Sequence, residues 1–399
     1  MRVLVTDSGY RSGALSAARS LAAHGWTVGL GSALGRKSHA ARSRAFSAVH
    51  LVPSPELDLA GFVSSVNDAV RRDGYEVVLP TSDLEMLALS ERRADVDAVV
   101  PYGPPDGVRR ALDKLASTLA AEKAGLDVPW TRPADPETLG ALADEVEVVV
   151  KARNHTFLDR GAGTSFKVAT VCRGRREVAA RVALIEGEGG EAVVQQPVEG
   201  ALTALSVVTD ESSRPVVSVY QRAIRNWPEP VGGTARGVTE RVDPDLARAV
   251  ASLLAELDWR GLAQLQFVLD AEGRHRFIDF NGRIYGSIAL AAAAGVHLPV
   301  IWAALATGRA AEPVEAALGA RFQWLEGDVK RALLGGAARA VPELVDSLRY
   351  ARGAAHSVLA PGDVKPALRY ARVLAARGLG KLRDRRPNRA RRGGGSRSS

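Results

Sequence analysis

The sequence predicts a mixed α/β and α+β chain: a doubly wound parallel sheet first, antiparallel strands after it, and helices at the end. Two patterns carry this expectation. Through the first part of the chain, short apolar runs alternate with helical segments. From Glu145 onward, β-rich runs follow one another closely with only turns between them. In order, RVLVT reads as a first strand. SGALSAARSLAAHG reads as a helix with Leu15, Ala18 and Leu21 on one face and Gly25 just past its end. WTVGLGS and AVHLVP are the next strands, LAGFVSSVNDAVRRDG a helix, EVVLP a fourth strand, and TSDLEMLAL opens another helix. One helix is expected from about Asp106 to Lys123, stopping at Gly125. VEVVVKA, TSFKVATV, EAVVQQPV, TALSVVTD and PVVSVYQRAI supply the antiparallel strands. A helix starts at Asp243-Pro244, an N-cap followed by proline. GLAQLQFVLD and HRFIDFN form a hairpin about the AEG turn. SIALAAAAG is a buried helix, PVIWAALATG another, and the remainder to about Leu379 reads as helical.

Composition bounds the function. At 399 residues the chain suits two or three compact units. Its 46% hydrophobic and 25% charged residues match a soluble globular protein with buried cores. No run approaches the roughly eighteen apolar residues of a membrane span, and MRVLVTDSGY lacks the pattern of a secretory signal. Cys172, the single cysteine, excludes an internal disulfide and a thiolate metal cage and reads as packing. A cytoplasmic location is expected. The net charge of +8 invites a nucleic-acid reading, but Lys381–Ser399 alone carries eight Lys/Arg and one acid, a net of +7. A solvated, disordered basic tail is the better account, with nucleic acid disfavoured and contact to RNA or anionic lipid a weak alternative.

Three features suggest chemistry. Lys114 and Lys151 precede a glycine-containing stretch, DRGAGTS, whose backbone N–H groups suit phosphates. In RFIDFNGR, Asp279 and Asn281 stand two apart on one strand and share a face. With Gln266 on the neighbouring strand they offer oxygen donors to a hard cation such as Mg²⁺. Each feature alone has a plain structural reading: a snorkelling lysine, a turn, a polar sheet edge. DSGYRSG lacks the G-x-G-x-x-G spacing, so a dinucleotide-dependent redox enzyme is weakly supported.

Taken in order, LPTSDLE, LDKLASTLAAEKAGLDVPWTRP, VVVKAR, DRGAGTSFKV, VVQQPVEG, VYQRAIRNWPEPVGG, GLAQLQFVLD and FIDFNGRIYGSIALAAAAGVHLPV resemble the ATP-grasp superfamily. The likeness is strongest to its carboxylate–amine ligases, related to carbamoyl-phosphate synthetase and D-alanine–D-alanine ligase. It covers about residues 1 to 310, with a fainter match in FQWLEGDVKRALL. The resemblance implies a pre-ATP-grasp α/β domain (1–104) and two ATP-grasp subdomains (105–192 and 193–310). A helical C-terminal extension (311–380) and a disordered basic tail (381–399) follow. By the same resemblance, Lys114 and Lys151 contact the α- and β-phosphates of ATP, and Gly161, Gly163, Thr164 and Ser165 form a lid over the γ-phosphate. Gln196 and Val198 offer backbone bonds to adenine, assisted by Gln195. Asp279, Asn281 and Gln266 hold Mg²⁺, with Mn²⁺ as a substitute, and Arg283 faces the transferred phosphoryl group.

The implied reaction activates a carboxylate as an acyl phosphate for attack by an amine. The substrates are small molecules, and a homodimer is a common arrangement among such proteins. Arg225, with Arg222, is a candidate clamp for carboxylate or phosphate. Asp83 and Glu85 follow a strand at the ligand-binding edge of the first sheet, where they either receive a substrate amine or cap a helix. Two positions depart from the family. Gln266 stands where an acid is usual. Thr203 stands where an acidic ribose ligand is usual, with Glu199 nearby as its replacement. These departures keep open an ATP-binding module with lost or altered ligation, and an RNA-associated protein is the third reading.

Overall fold

In a computed structural model of the chain, residues 1–7, 13–154, 158, 169–228, 232–334 and 336–384 are described. The first apolar runs pair as expected. β1 (Arg2–Asp7), β2 (Thr27–Ser32), β3 (Ala48–Leu51) and β4 (Val77–Leu79) form a sheet in the order β3-β2-β1-β4 with every pairing parallel. α1 (Gly13–Ala23) joins β1 to β2, α2 (Leu59–Asp73) joins β3 to β4, and α3 (Asp83–Glu91) follows β4. β1 and β4 are neighbours although two strands intervene in the chain, so the winding reverses between them. Ligands of such sheets bind at the carboxyl ends of the strands on either side of that reversal.

The expected helix over Asp106–Lys123 is two helices, α4 (Pro105–Leu112) and α5 (Lys114–Lys123). Asp113, extended at φ −74° and ψ 114°, closes the first and caps the second by accepting from Leu115 and Ala116 N–H. A small antiparallel sheet follows in the order β5-β8-β6-β7, from β5 (Thr131–Pro133), β6 (Glu147–Ala152), β7 (Thr170–Arg173) and β8 (Ala192–Gln195). α6 (Pro136–Ala141) and α7 (Gly174–Gly187) belong to this unit. Its core is its own, with Val148, Val150, Val178, Val182, Ile185 and Val194 packed together.

The third sheet has the order β13-β12-β9-β10-β11-β14-β15. Its first strands are β9 (Ala201–Thr209), β10 (Pro215–Trp227) and β11 (Gly233–Glu240), followed by α8 (Pro244–Glu256). The predicted N-cap of α8 is present: Asp243 accepts from Asp245 N–H. β12 (Gly261–Leu269) and β13 (His275–Asn281) pair antiparallel, then α9 (Ala289–Ala293) and α10 (Leu298–Ala306) pack beneath. The C-terminal extension is not helical throughout. β14 (Arg321–Gln323) and β15 (Ala354–His356) enlarge this sheet, and only α11 (Leu325–Leu334), α12 (Ala337–Ala351) and α13 (Lys365–Asp384) are helical. Three-residue strands carry too little period-two signal to separate them from loop in sequence. One continuous core joins the first sheet to the third: Leu4, Leu79 and Met86 belong to the same cluster as Trp259, Phe267 and Trp302. Among the described residues no helix is long and apolar enough to cross a membrane.

Candidate active site

β13 carries the site as the edge strand of the third sheet, where side chains from α5 and from the small sheet reach it. Asp279 and Asn281 face the same way, and the register sets Gln266 opposite Asp279 and Gln264 opposite Asn281. Lys114, the first residue of α5, donates to Asp279 Oδ1. Its position is fixed twice over. Lys114 N–H donates to Arg153 O at 2.9 Å, and Arg153 Nε donates to Asp113 Oδ2 at 2.8 Å, so the cap of α5 is tied to the end of β6.

Lys151 reaches the same strand from the small sheet. Its ammonium donates to Gln195 Oε1 at 2.7 Å and to Ile278 O at 3.3 Å. Gln195, buried on β8, is held in turn by donating from Nε2 to Thr131 Oγ1 at 2.9 Å. Burial lowers the Lys151 ammonium to about 8, Asp279 opposes that shift, and Lys114 adds to it. Two lysines from different elements therefore converge on the strand holding Asp279.

Arg283 continues the line beyond Asn281. Its Nη2 donates to Asn281 Oδ1 at 2.7 Å, and its guanidinium grips Asp83 with Nε–Oδ1 3.1 Å and Nη2–Oδ2 3.4 Å. Both side chains are about nine-tenths buried. Of the two uses open to Asp83 in sequence, a substrate amine or a cap, the structure shows a third: it is the counter-ion of Arg283. Glu85 is a capping residue, because its Oε2 accepts from Ser82 N–H at 3.1 Å and Thr81 N–H at 3.0 Å while Ser82 Oγ accepts from Glu85 N–H. Among the described residues, Gln264 Nε2 and the Tyr102 hydroxyl are buried without a hydrogen-bond partner. Tyr102 feels the charges of Asp83 and Arg283.

Other predicted residues fall elsewhere. Arg225 pairs with Asp328 at 2.7 Å and Asp346 at 3.4 Å, beside Arg236, which holds the same two carboxylates. Register shifts on either side of Arg225 break the regular alternation of β10 there. Arg222 is held bidentately by Glu240. Thr203 pairs with Phe267, so its side chain lies on the face of the sheet opposite to Gln266 and Asp279. Gln196 N–H is already used by Trp130 O at 2.8 Å. Val198 is half-buried and Glu199 exposed in the segment after β8. Cys172 is buried, and burial raises its thiol, in keeping with packing. Gly161, Gly163, Thr164 and Ser165 lie outside the described residues.

The donor set suits a hard cation: one carboxylate and two amide oxygens, which is what Mg²⁺ takes when substrate phosphates complete its shell. Among the described residues there is no group of three or more His, Cys, Asp or Glu, so a metal held by protein acids alone is not offered. Gln264 and Asp83 were not predicted as parts of this arrangement. The signal for Gln264 was present, two positions before Gln266 on one strand face.

The geometry matches known proteins in fold. The L-amino acid ligase from Bacillus licheniformis superposes with a TM-score of 0.58 at 13% identity, over 79% of this chain and 75% of that one. N5-carboxyaminoimidazole synthetase from Staphylococcus aureus gives 0.63 at 12% identity, over 84% and 86%. The biotin carboxylase domain of Hydrogenobacter thermophilus 2-oxoglutarate carboxylase, solved with MgADP and bicarbonate, gives 0.60 at 14%, over 80% and 73%. In sequence, residues 225–328 match the family described as ATP-grasp in the biosynthetic pathway with Ter operon, a segment well short of half the chain. No curated protein matches the sequence.

Proposed function

Because this chain has the ATP-grasp fold, we propose that it is an ATP-dependent ligase that joins the carboxylate of one small molecule to an amine. The observation that carries the reading is the meeting of Lys114, Lys151 and Asp279 on one strand, with Arg283 aligned just beyond them. Lys114 and Lys151 neutralise phosphate oxygens of ATP, and Gln195 orients Lys151. Asp279, Asn281 and Gln266 hold Mg²⁺, or Mn²⁺ in its place. When bound, the ion offsets charge on the phosphates. Gln266 is a neutral donor, so Asp279 is the one carboxylate in the set.

A substrate carboxylate oxygen attacks the γ-phosphorus, the bond to the β-phosphate oxygen breaks, and ADP leaves. The amine nitrogen then attacks the acyl carbon, phosphate departs, and the nitrogen loses a proton. Arg283 stabilises the phosphoryl oxygens as their charge spreads, and Asp83 keeps its guanidinium in place. Proteins similar in fold include an L-amino acid ligase and enzymes in complex with ADP or bicarbonate, which supports this chemistry. Such a reaction, with its ATP supply, belongs in the cytoplasm.

The test measures phosphate release from ATP against a panel of paired acids and amines. Release that needs both partners is expected, and Arg283→Ala should lower kcat about 10²–10³-fold while ATP affinity changes little. A protein that binds no ATP analogue would sink the proposal. Binding without turnover for any pair would favour the second reading, a nucleotide-binding module that no longer ligates, which Gln266 supports.

A further inference from the structure

Gln264 stands two residues before Gln266 on β12, so the two side chains share a face of the sheet. Across β13, Gln266 lies opposite Asp279 and Gln264 opposite Asn281. Gln264 is only 3% exposed, and its Nε2 has no acceptor among the described residues. The acceptor facing it in register is already taken, since Asn281 Oδ1 accepts from Arg283 Nη2 at 2.7 Å.

The chain that follows β13 crosses this same face. Burial raises the Tyr285 phenol, and the nearby Ser206 hydroxyl opposes that shift. Ser287 donates to Gln221 Oε1 at 3.2 Å. Ser206 of β9 is the residue opposite Gln264 on its other side. In register, then, Gln264 lies between Asn281, which Arg283 touches, and Ser206, which Tyr285 approaches. A buried donor without a partner is destabilising, and a hydrocarbon side chain of similar size would serve the sheet better. An amide is accounted for here if its partner arrives with the substrate.

Position says which atom that partner is. Two residues of strand span about 7 Å, so Gln264 stands that far along from the Gln266–Asp279 pair assigned to the cation. From Mg²⁺, one ion–oxygen bond of about 2 Å and three covalent bonds lead to the carboxyl carbon of an acyl phosphate. The carbonyl oxygen on that carbon comes beside the Gln264 amide.

We propose that Gln264 is a catalytic residue of the amine step, its Nε2 donating to the carbonyl oxygen of the acyl phosphate; this rests on the ligase reading of the same site. The amine lone pair forms the C–N bond, and the C=O π pair moves onto oxygen, where the amide meets it. The pair then returns, the bond from carbon to the bridging oxygen breaks, phosphate leaves with its electrons, and the proton on nitrogen passes to water. In the earlier phosphoryl step this oxygen loses charge, because the carboxylate becomes an anhydride. A donor at Gln264 therefore favours attack by the amine over formation of the acyl phosphate.

The experiment compares wild type with Gln264→Met, which keeps the length of the side chain and removes the donor. Positional isotope exchange within ATP, with the acid alone, reports formation of the acyl phosphate. Product amide, with acid and amine together, reports the whole reaction. The Met variant should keep its isotope exchange and form amide about 10²–10³-fold more slowly. Its melting temperature should hold or rise, since the lost donor had no partner. Amide formation at the wild-type rate overturns the inference. So does loss of exchange in step with loss of amide, or a lowered melting temperature that accounts for the lost activity, because either gives Gln264 a structural part. No exchange by wild type with any acid is a failure of the ligase reading and takes this inference with it; exchange by wild type without a Met effect sinks this inference alone.

Discussion

At Lys151 the fold sets a cation where burial disfavours it, next to Lys114 and within reach of Asp279. The consequence is a pH dependence with a definite sign. In the ligand-free protein the ammonium loses its proton as pH rises through about 8, so affinity for a polyphosphate should fall there. Bound phosphate favours the charged form, so binding just above that pH should take up close to one proton. Isothermal titration of an ATP analogue in buffers of differing ionisation heat measures the uptake, and none at all would refute the assignment. Stability moves the other way. The unfolded lysine keeps its proton up to its ordinary 10.5, binds more protons than the folded one above about 8, and so loses ground as pH rises in that window. Lys151, Asp279 and Asn281 stand at the ends of strongly patterned strands, which made them easy to single out in the sequence; Lys114, inside what reads as one helix, took its part from the family resemblance. The directions of Arg225 and Thr203 were not legible, since a shifted register and a choice of sheet face decide where they point.

Among the elements, the break between α4 and α5 matters most for the site. The sequence reads Asp106–Lys123 as one helix because Leu112, Leu115 and Leu119 keep helical spacing across the break. An aspartate before a helix is also a cap, and tertiary context chose the cap: Arg153 at the end of β6 holds the Asp113 carboxylate. Asp113→Ala should therefore destabilise the protein by roughly 1–2 kcal/mol and weaken ATP-analogue binding by displacing Lys114. Asp113→Asn keeps the cap and should recover most of the loss. Thermal melts with binding titrations separate the two, and an Asn variant as impaired as Ala would show that the ion pair, rather than the cap, does the positioning. β11 and α7 were not predicted at all. β11 mixes Arg236, Thr234 and Thr239 with small residues, and α7 is built largely of charged and small residues around Val178, Val182 and Ile185. Neither shows a clean apolar period.

Across the whole molecule, the end of the chain is locked to its beginning. Asp363 accepts from Arg19 at 2.9 Å and Ser43 at 2.5 Å, and Arg19 also donates to Val358 O at 2.9 Å. Burial opposes ionisation of Asp363, yet the bonds from Ser43 and Arg19 hold its carboxyl below the usual range. The carboxylate thus contributes stability at neutral pH that is lost as pH falls through its folded pKa. Asp363→Ala leaves Arg19 partly buried without its partner and should cost about 3–5 kcal/mol. Urea unfolding at neutral pH measures it, and a loss below 1 kcal/mol would show that the lock is incidental. The small sheet keeps a separate core while the first and third sheets share one. Lys151 thus belongs to a unit packed independently of the strand it reaches toward.

By itself the sequence determined the alternation of strands and helices in the first domain, the hairpin that presents Asp279 and Asn281, and the lysines that face them. The strands, helices and hairpin rest on local periodicity and residue chemistry, which a chain displays before it folds, whereas the part given to the lysines came from the family resemblance. Only the tertiary structure decided that Asp83 is spent on Arg283, that Arg225 belongs to a carboxylate network beside α12, and that short strands of the C-terminal extension finish the third sheet. Each of these is a pairing between residues far apart in the chain. Such pairings are set by register, burial and close approach, and none of the three is encoded in any window of neighbouring residues.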